Sequence, residues 1–206
     1  MTLFDADGPF AHRLSRVADI FLLNILWVIC SLLVFTVGAA TIALYYGMMK
    51  IHNNEDDGTV AMFFRSFKRN FKQGCCLTLI FLGTALFLWV DIQLCQSLND
   101  NLRMPVTLVL ALLMVECGAI FSYAFPLVAR FDNTIMTTLK NARALSFRHP
   151  IKTLLLLLVN VFPLALLVLL PNTFVMTIPL WITFGFAILA KSNTKRLLQV
   201  FDQYAD

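Results

Sequence analysis

FFRSFKRNFKQGCCLTLIFLGTALFLWV, residues 63–90, joins a cationic amphipathic segment to an uninterrupted apolar one. At 100° per residue, Phe63, Phe64, Phe67 and Phe71 fall within one arc of a helix, with Val60 inside it. Arg65, Lys68, Arg69 and Lys72 gather on the opposite side. This pattern predicts a helix lying in a membrane interface, apolar face down and cations toward anionic headgroups. The apolar run 75–90 follows almost at once, which puts the chain in a membrane and the cationic connector on one side of it.

Composition agrees. Of the 206 residues, 59% are hydrophobic and 14% charged, against about 45–50% and about 25% in soluble domains. Most residues lie in apolar runs, so there is no room for a soluble domain of ordinary size. The formal charge of +4 is small, and its cations sit in connectors rather than in one patch, which argues against a nucleic-acid partner. Cys30, Cys75, Cys76, Cys95 and Cys117 include no C-x-x-C pair and lie in or beside apolar runs, as packing residues do. Val37-Gly38-Ala39 imitates a signal-peptide cleavage site. Apolar character resumes from Thr41 to Met49, however, and Asp5 and Asp7 spoil a basic n-region, so the first segment reads as retained.

Runs long enough to cross a bilayer, about 20 residues, occupy 20–49, 74–98, 105–129, 153–170 and 173–190. The expected fold is an all-α polytopic transmembrane bundle, a single integral membrane domain over 1–206 with amphipathic connectors. Pro171-Asn172 should turn the last two runs into a hairpin, and Pro163 and Pro179 should kink them. One connector carries Lys50, Arg65, Lys68, Arg69 and Lys72. A second carries Arg130, Lys140, Arg143, Arg148 and Lys152, and the tail adds Lys191, Lys195 and Arg196. On the opposite side stands Arg103 alone. The positive-inside rule therefore orients both connectors and the C-terminus toward the cytoplasm of a bacterial cytoplasmic membrane. The first run is long for one crossing and short for two. We expect one broken, tilted crossing with an outside N-terminus. The alternative is a re-entrant hairpin turning near residues 31–38, which suits Arg13 and Arg16 better. A weak repeat runs through the chain 80 residues apart, matching Asn53, Ser66, Phe67 and Lys72 to Asn133, Ser146, Phe147 and Lys152, and Gly38 to Gly118.

Asn24-Ile25-Leu26-Trp27, Ser31-Leu32 and Thr36-Val37-Gly38-Ala39-Ala40-Thr41, running on to Tyr45-Tyr46, resemble the YesL family of bacterial membrane proteins. So do Phe63-Phe64-Arg65-Ser66-Phe67-Lys68 and Asn70-Phe71-Lys72-Gln73. The family often has proline soon after the Ser-Leu pair, where Leu33 stands here. The resemblance implies no assigned biochemical activity. It does imply an association with carbohydrate ABC-transporter components, beside which members tend to be encoded.

Glu116 is the leading candidate site residue, because a carboxylate at bilayer depth should face the bundle interior and find a partner. Asn160 is the expected partner, with Tyr123 two turns along; the plain alternative is an interhelical hydrogen bond. Arg65, Lys68, Arg69, Lys72, Lys140, Arg143 and Arg148 are candidates for anionic headgroups or a docking partner such as a transporter subunit. His12, His52 and His149 stand far apart, and no H-E-x-x-H, G-x-S-x-G, G-x-G-x-x-G or Walker loop is present. The expectation is a protein without catalytic residues, metal or cofactor. It would be an accessory or regulatory component of carbohydrate uptake or, alternatively, a small solute transporter or channel with a polar site near Glu116.

Overall fold

A computed structural model describes residues 9–55 and 58–204, without the side chains of residues 9–13 and 100. Asp5 and Asp7 lie outside the described residues, as do the side chains of His12 and Arg13. Among the described residues there are helices and no strand. They are α1 (Pro9–Cys30), α2 (Val37–His52), α3 (Thr59–Arg69), α4 (Phe71–Leu94), α5 (Asp100–Arg130), α6 (Ile135–Arg148), α7 (Pro150–Leu169), α8 (Pro171–Leu180) and α9 (Phe186–Phe201). A π-helical turn, Trp181–Gly185, joins α8 to α9. The all-α polytopic bundle is as expected. Five stretches are long and apolar enough to cross a membrane: Val34–His52, Phe71–Ser97, Asn101–Arg130, Pro150–Leu169 and Pro171–Phe201.

The first apolar segment differs from its expected form. It is not one broken crossing but two helices packed antiparallel, so both ends of the pair lie on the same side. Trp27 Nε1 donates to Thr41 Oγ1 at 3.1 Å, Leu23 packs on Gly47, and Arg16 donates to Asn54. The reversal needs no proline. Leu33 takes an extended conformation, and the buried Thr36 hydroxyl lies 2.6 Å from the Cys30 carbonyl and 2.7 Å from that of Leu33. A side-chain hydroxyl thus serves the Cys30 carbonyl, which the end of α1 leaves without a helical partner.

The segment around Phe63 also differs from expectation. Amphipathic α3 is there, but it does not lay its whole apolar face on lipid. It packs on α1 and α2, which bury Met62 and Phe63, while Phe64 and Phe71 remain exposed. Phe63, Phe67 and Phe71 stand in a row with ring centroids 6.1 and 5.5 Å apart. Thr59 Oγ1 donates to Asp19 Oδ1 at 2.6 Å and pins the start of α3 to α1. Burying Phe63 against protein lets α3 brace the first hairpin.

The order of elements follows the repeat. The series α2–α3–α4 and α5–α6–α7 each consist of a helix, an amphipathic linker and a helix. The linkers end at Asn70 and at His149. Ser66 and Ser146 are buried at matching places, and Gly38 of α2, which packs against α4, corresponds to Gly118 of α5, which lies against Leu157 of α7.

Packing is uneven along the bundle axis. On α4, Gly74, Leu77 and Thr78 are buried near the start, and Leu88 alone is buried later. On α5, burial begins at Cys117 and runs to Ala129, whereas Leu108, Leu112 and Val115 are exposed. The core therefore sits at the cation-rich end, around α2 and α9, while the far halves of the α4–α5 and α7–α8 hairpins present leucine, valine and phenylalanine outward. Hydrocarbon tails are as apolar as these side chains, so such exposure costs nothing in a bilayer.

Candidate functional site

Four helices meet through amide and hydroxyl groups inside this core. Asn193 of α9 is fully buried, and its Nδ2 donates to Asn160 Oδ1 of α7 at 2.8 Å and to Tyr45 OH of α2 at 3.3 Å. Asn160 Nδ2 donates to Ser122 Oγ of α5 at 3.0 Å, and that hydroxyl donates to the Gly118 carbonyl at 2.8 Å. One atom is left over: Asn193 Oδ1 is buried without a hydrogen-bond partner. In a low-dielectric interior such groups hold helices in register because breaking any link strands another.

A second buried amide serves the π-helical turn. Such a turn, following Pro179, leaves backbone groups out of the regular i→i−4 ladder. Asn24 Nδ2 donates to the carbonyls of Trp181 and Ile182 at 3.0 and 2.6 Å, while its Oδ1 accepts from the Ala187 N–H at 2.8 Å. Asn24 is wholly buried. Around it Trp27 packs on Phe186 and Phe21 on Phe184, with ring centroids 4.2 and 5.4 Å apart. The amide therefore ties α1 to the start of α9.

The three residues expected to form one intramembrane site are not together. Glu116 pairs with Arg143 rather than with Asn160: Arg143 Nε lies 2.9 Å from Glu116 Oε1. Glu116 lies about 20 Å along α5 from Arg130 at 1.5 Å per residue, so α6 leans back along α5 to bring the guanidinium there. Tyr123 is buried, with its OH 3.1 Å from Thr153 Oγ1, which itself donates to the carbonyls of Ser146 and His149. Glu116 and Tyr123 share a face of α5 two turns apart, but each is taken by a different partner, and Asn160 bonds instead to Ser122. Arg143→Leu is expected to destabilise the protein by about 1 kcal/mol, since the pair is partly exposed. Glu116→Gln should recover most of that loss, as thermal unfolding of the two single variants and the double variant would record.

The cationic candidates divide as well. Arg143 is engaged with Glu116, and Arg69 Nη2 lies 3.6 Å from Asp132 Oδ1. Arg148 stacks over Tyr204, 5.8 Å from the ring centroid. Arg65, Lys68, Lys72 and Lys140 are exposed. Beside them a cleft of about 320 Å³ is lined by Lys50, Asn53, Glu55, Arg69, Arg130 and Asp132, with Lys50 paired to Glu55. Among the described residues, no three His, Cys, Asp or Glu side chains gather as metal ligands would.

Sequence reasoning missed Asn193 and Tyr45 as buried bonding groups. Asn193 follows Lys191 and Ser192 and precedes Thr194 and Lys195, so its surroundings read as a solvated tail. Its usable signal was spacing. Ala187, Ala190, Asn193, Thr194, Leu197, Leu198 and Phe201 form the buried stripe of α9.

The fold and these contacts define a multi-pass, all-α membrane protein whose buried amides join helix to helix. Residues 20–92 match the family DUF624, described as "Protein of unknown function". Over 149 residues the chain is 29% identical to the "Uncharacterized protein YesL" of Bacillus subtilis (strain 168), covering 70% of each chain. Together these matches support the chain as a YesL-like family member. No solved structure matches it.

Proposed function

We propose that this protein is a non-enzymatic accessory or regulatory subunit of a carbohydrate uptake system in the bacterial cytoplasmic membrane. In this reading the cation-rich end and the C-terminus face the cytoplasm, as the positive-inside rule requires. The observation that carries it is how the interior polar groups are used. Asn24, Asn160, Tyr45 and Ser122 bond to other helices, and Glu116 is neutralised by Arg143. These contacts serve a rigid scaffold rather than a solute path. Exposed Arg65, Lys68 and Lys72 on the α3–α4 corner supply a docking surface for a transporter subunit. The link to sugar uptake rests on the family resemblance alone.

Affinity purification of the full chain in mild detergent, from cells grown on different sugars, tests this reading. Recovery of a carbohydrate ABC-transporter component is expected. Arg65→Glu, Lys68→Glu and Lys72→Glu combined should lower that recovery while leaving the protein folded. Recovering no transporter component under any sugar condition would overturn the proposal.

A second reading, a small solute transporter, is favoured by the unpartnered Asn193 Oδ1 beside Asn160. Under it, Asn193→Leu abolishes solute uptake into proteoliposomes while the protein stays folded; unchanged uptake removes this reading.

A further inference from the structure

We propose that the α7–α9 edge is a specific site for an anionic phospholipid, with one acyl chain in an apolar groove and the phosphate on a cationic stripe of α9. The groove, of about 430 Å³, is lined by Phe162, Leu166, Trp181, Phe184, Gly185 and Ile188, among others. Its shape depends on Gly185: a Cβ there would fall 2.4 Å from Trp181 Cε3, so the indole lies directly against bare backbone. Trp181 Nε1 is 3.3 Å from Thr177 Oγ1, which holds the ring within its own segment and turns its apolar surface to the groove.

Ile188 continues the groove into a second concavity, lined by Ile188, Lys191, Ser192, Lys195, Arg196 and Gln199. These positions advance by three or four residues and so share one face of α9. Arg196 Nη1 donates to the carbonyl and hydroxyl oxygens of Ser192, each at 2.9 Å, which orients the guanidinium along this face. Among the described residues no carboxylate pairs with Lys191, Lys195 or Arg196. Lys191 also lines a neighbouring pocket with Arg16 and His52, so further basic groups stand beside the stripe. An apolar slot at membrane depth, sharing Ile188 with a concavity of unpaired cations, has the polarity profile of a lipid with a negative headgroup. The α3 cations lack this profile, because α3 turns Met62 and Phe63 inward rather than opening a groove.

Native mass spectrometry of the full chain in detergent, titrated with phosphatidylglycerol, phosphatidylcholine or soluble glycerol phosphate, tests the site. Phosphatidylglycerol is expected to be retained in preference to the other two. Lys191→Gln, Lys195→Gln and Arg196→Gln combined should weaken it roughly 100-fold. Gly185→Leu, filling the groove, should weaken it with the cations intact, and Arg65→Gln, Lys68→Gln and Lys72→Gln combined should leave it unchanged. Equal retention of phosphatidylcholine, equal binding of glycerol phosphate, or an equal loss in the α3 variant would overturn the proposal. So would full retention by the α9 triple variant, provided its thermal unfolding matches that of the unaltered protein.

Discussion

Replacing Gly38 with valine is expected to give the largest loss of stability of any single substitution considered. A Cβ at this position would lie 2.4 Å from the Gly74 carbonyl oxygen, 2.2 Å from Thr78 Oγ1 and 2.8 Å from Phe125 Cε1. The carbonyl is helix backbone and cannot swing aside. From the other side, a Cβ on Gly74 would fall 2.5 Å from the Ala39 N. The two glycines therefore let α2 and α4 touch backbone to backbone, and the Gly38 N–H donates to Thr78 Oγ1 at 2.9 Å across the contact. Overpacking a site of this kind costs about 1–3 kcal/mol when neighbours can relax, and here the valine must also push two helices apart. Gly83→Val on the partner helix α4 is the control, because a Cβ there meets nothing within 4 Å. Thermal unfolding in detergent should show a clear drop for Gly38→Val and almost none for Gly83→Val. Equal midpoints for the two would mean that the close crossing does not exist.

Asn24→Leu is the second large effect. Leucine keeps the same branched heavy-atom skeleton but returns none of the three hydrogen bonds at the π-helical turn. Two carbonyls and one N–H then remain inside the protein without their partner. Stranding buried polar groups costs about 1–3 kcal/mol each at most, and relaxation of the turn limits the total to about 2–4 kcal/mol. Trp27→Phe, which removes a single bond to Thr41, should cost only about 0.6 kcal/mol, the average for one interhelical hydrogen bond in a membrane. Hydrogen exchange localises the effect: the Ala187 amide should lose protection in Asn24→Leu and keep it in Trp27→Phe. Protection at Ala187 that survives Asn24→Leu would show that the turn is held by other contacts.

The membrane class was legible from residues 63–90 because hydrophobic length and cation placement are properties of the chain itself. Amphipathic α3 was legible for the same reason, since its period is written in one dimension. Its burial was not. The pattern that floats a helix on lipid also docks one on protein, and only the presence of α1 and α2 distinguishes the two. The turn at residues 31–36 was half legible: Ser31 and Gly38 marked a break, but the hydrogen bonds of Thr36 that reverse the chain depend on where the Cys30 carbonyl points. Glu116 was found and its partner was not. Depth along a helix can be counted from sequence, whereas the face it turns depends on how α6 leans on α5.

By itself, then, the sequence determined that this is an all-α membrane protein with five long apolar stretches and two basic amphipathic connectors. Those features follow from transfer free energies summed along contiguous residues. Tertiary structure alone decided that the first stretch folds back on itself, that Asn193 and Asn24 rather than Glu116 knit the core, and that Arg143 neutralises a carboxylate. Each of these depends on hydrogen-bond geometry between residues far apart in the chain, up to 163 positions for Asn24 and Ala187. Bonds of that kind are set by angle and distance to within tenths of an ångström, and these exist only once the helices have packed.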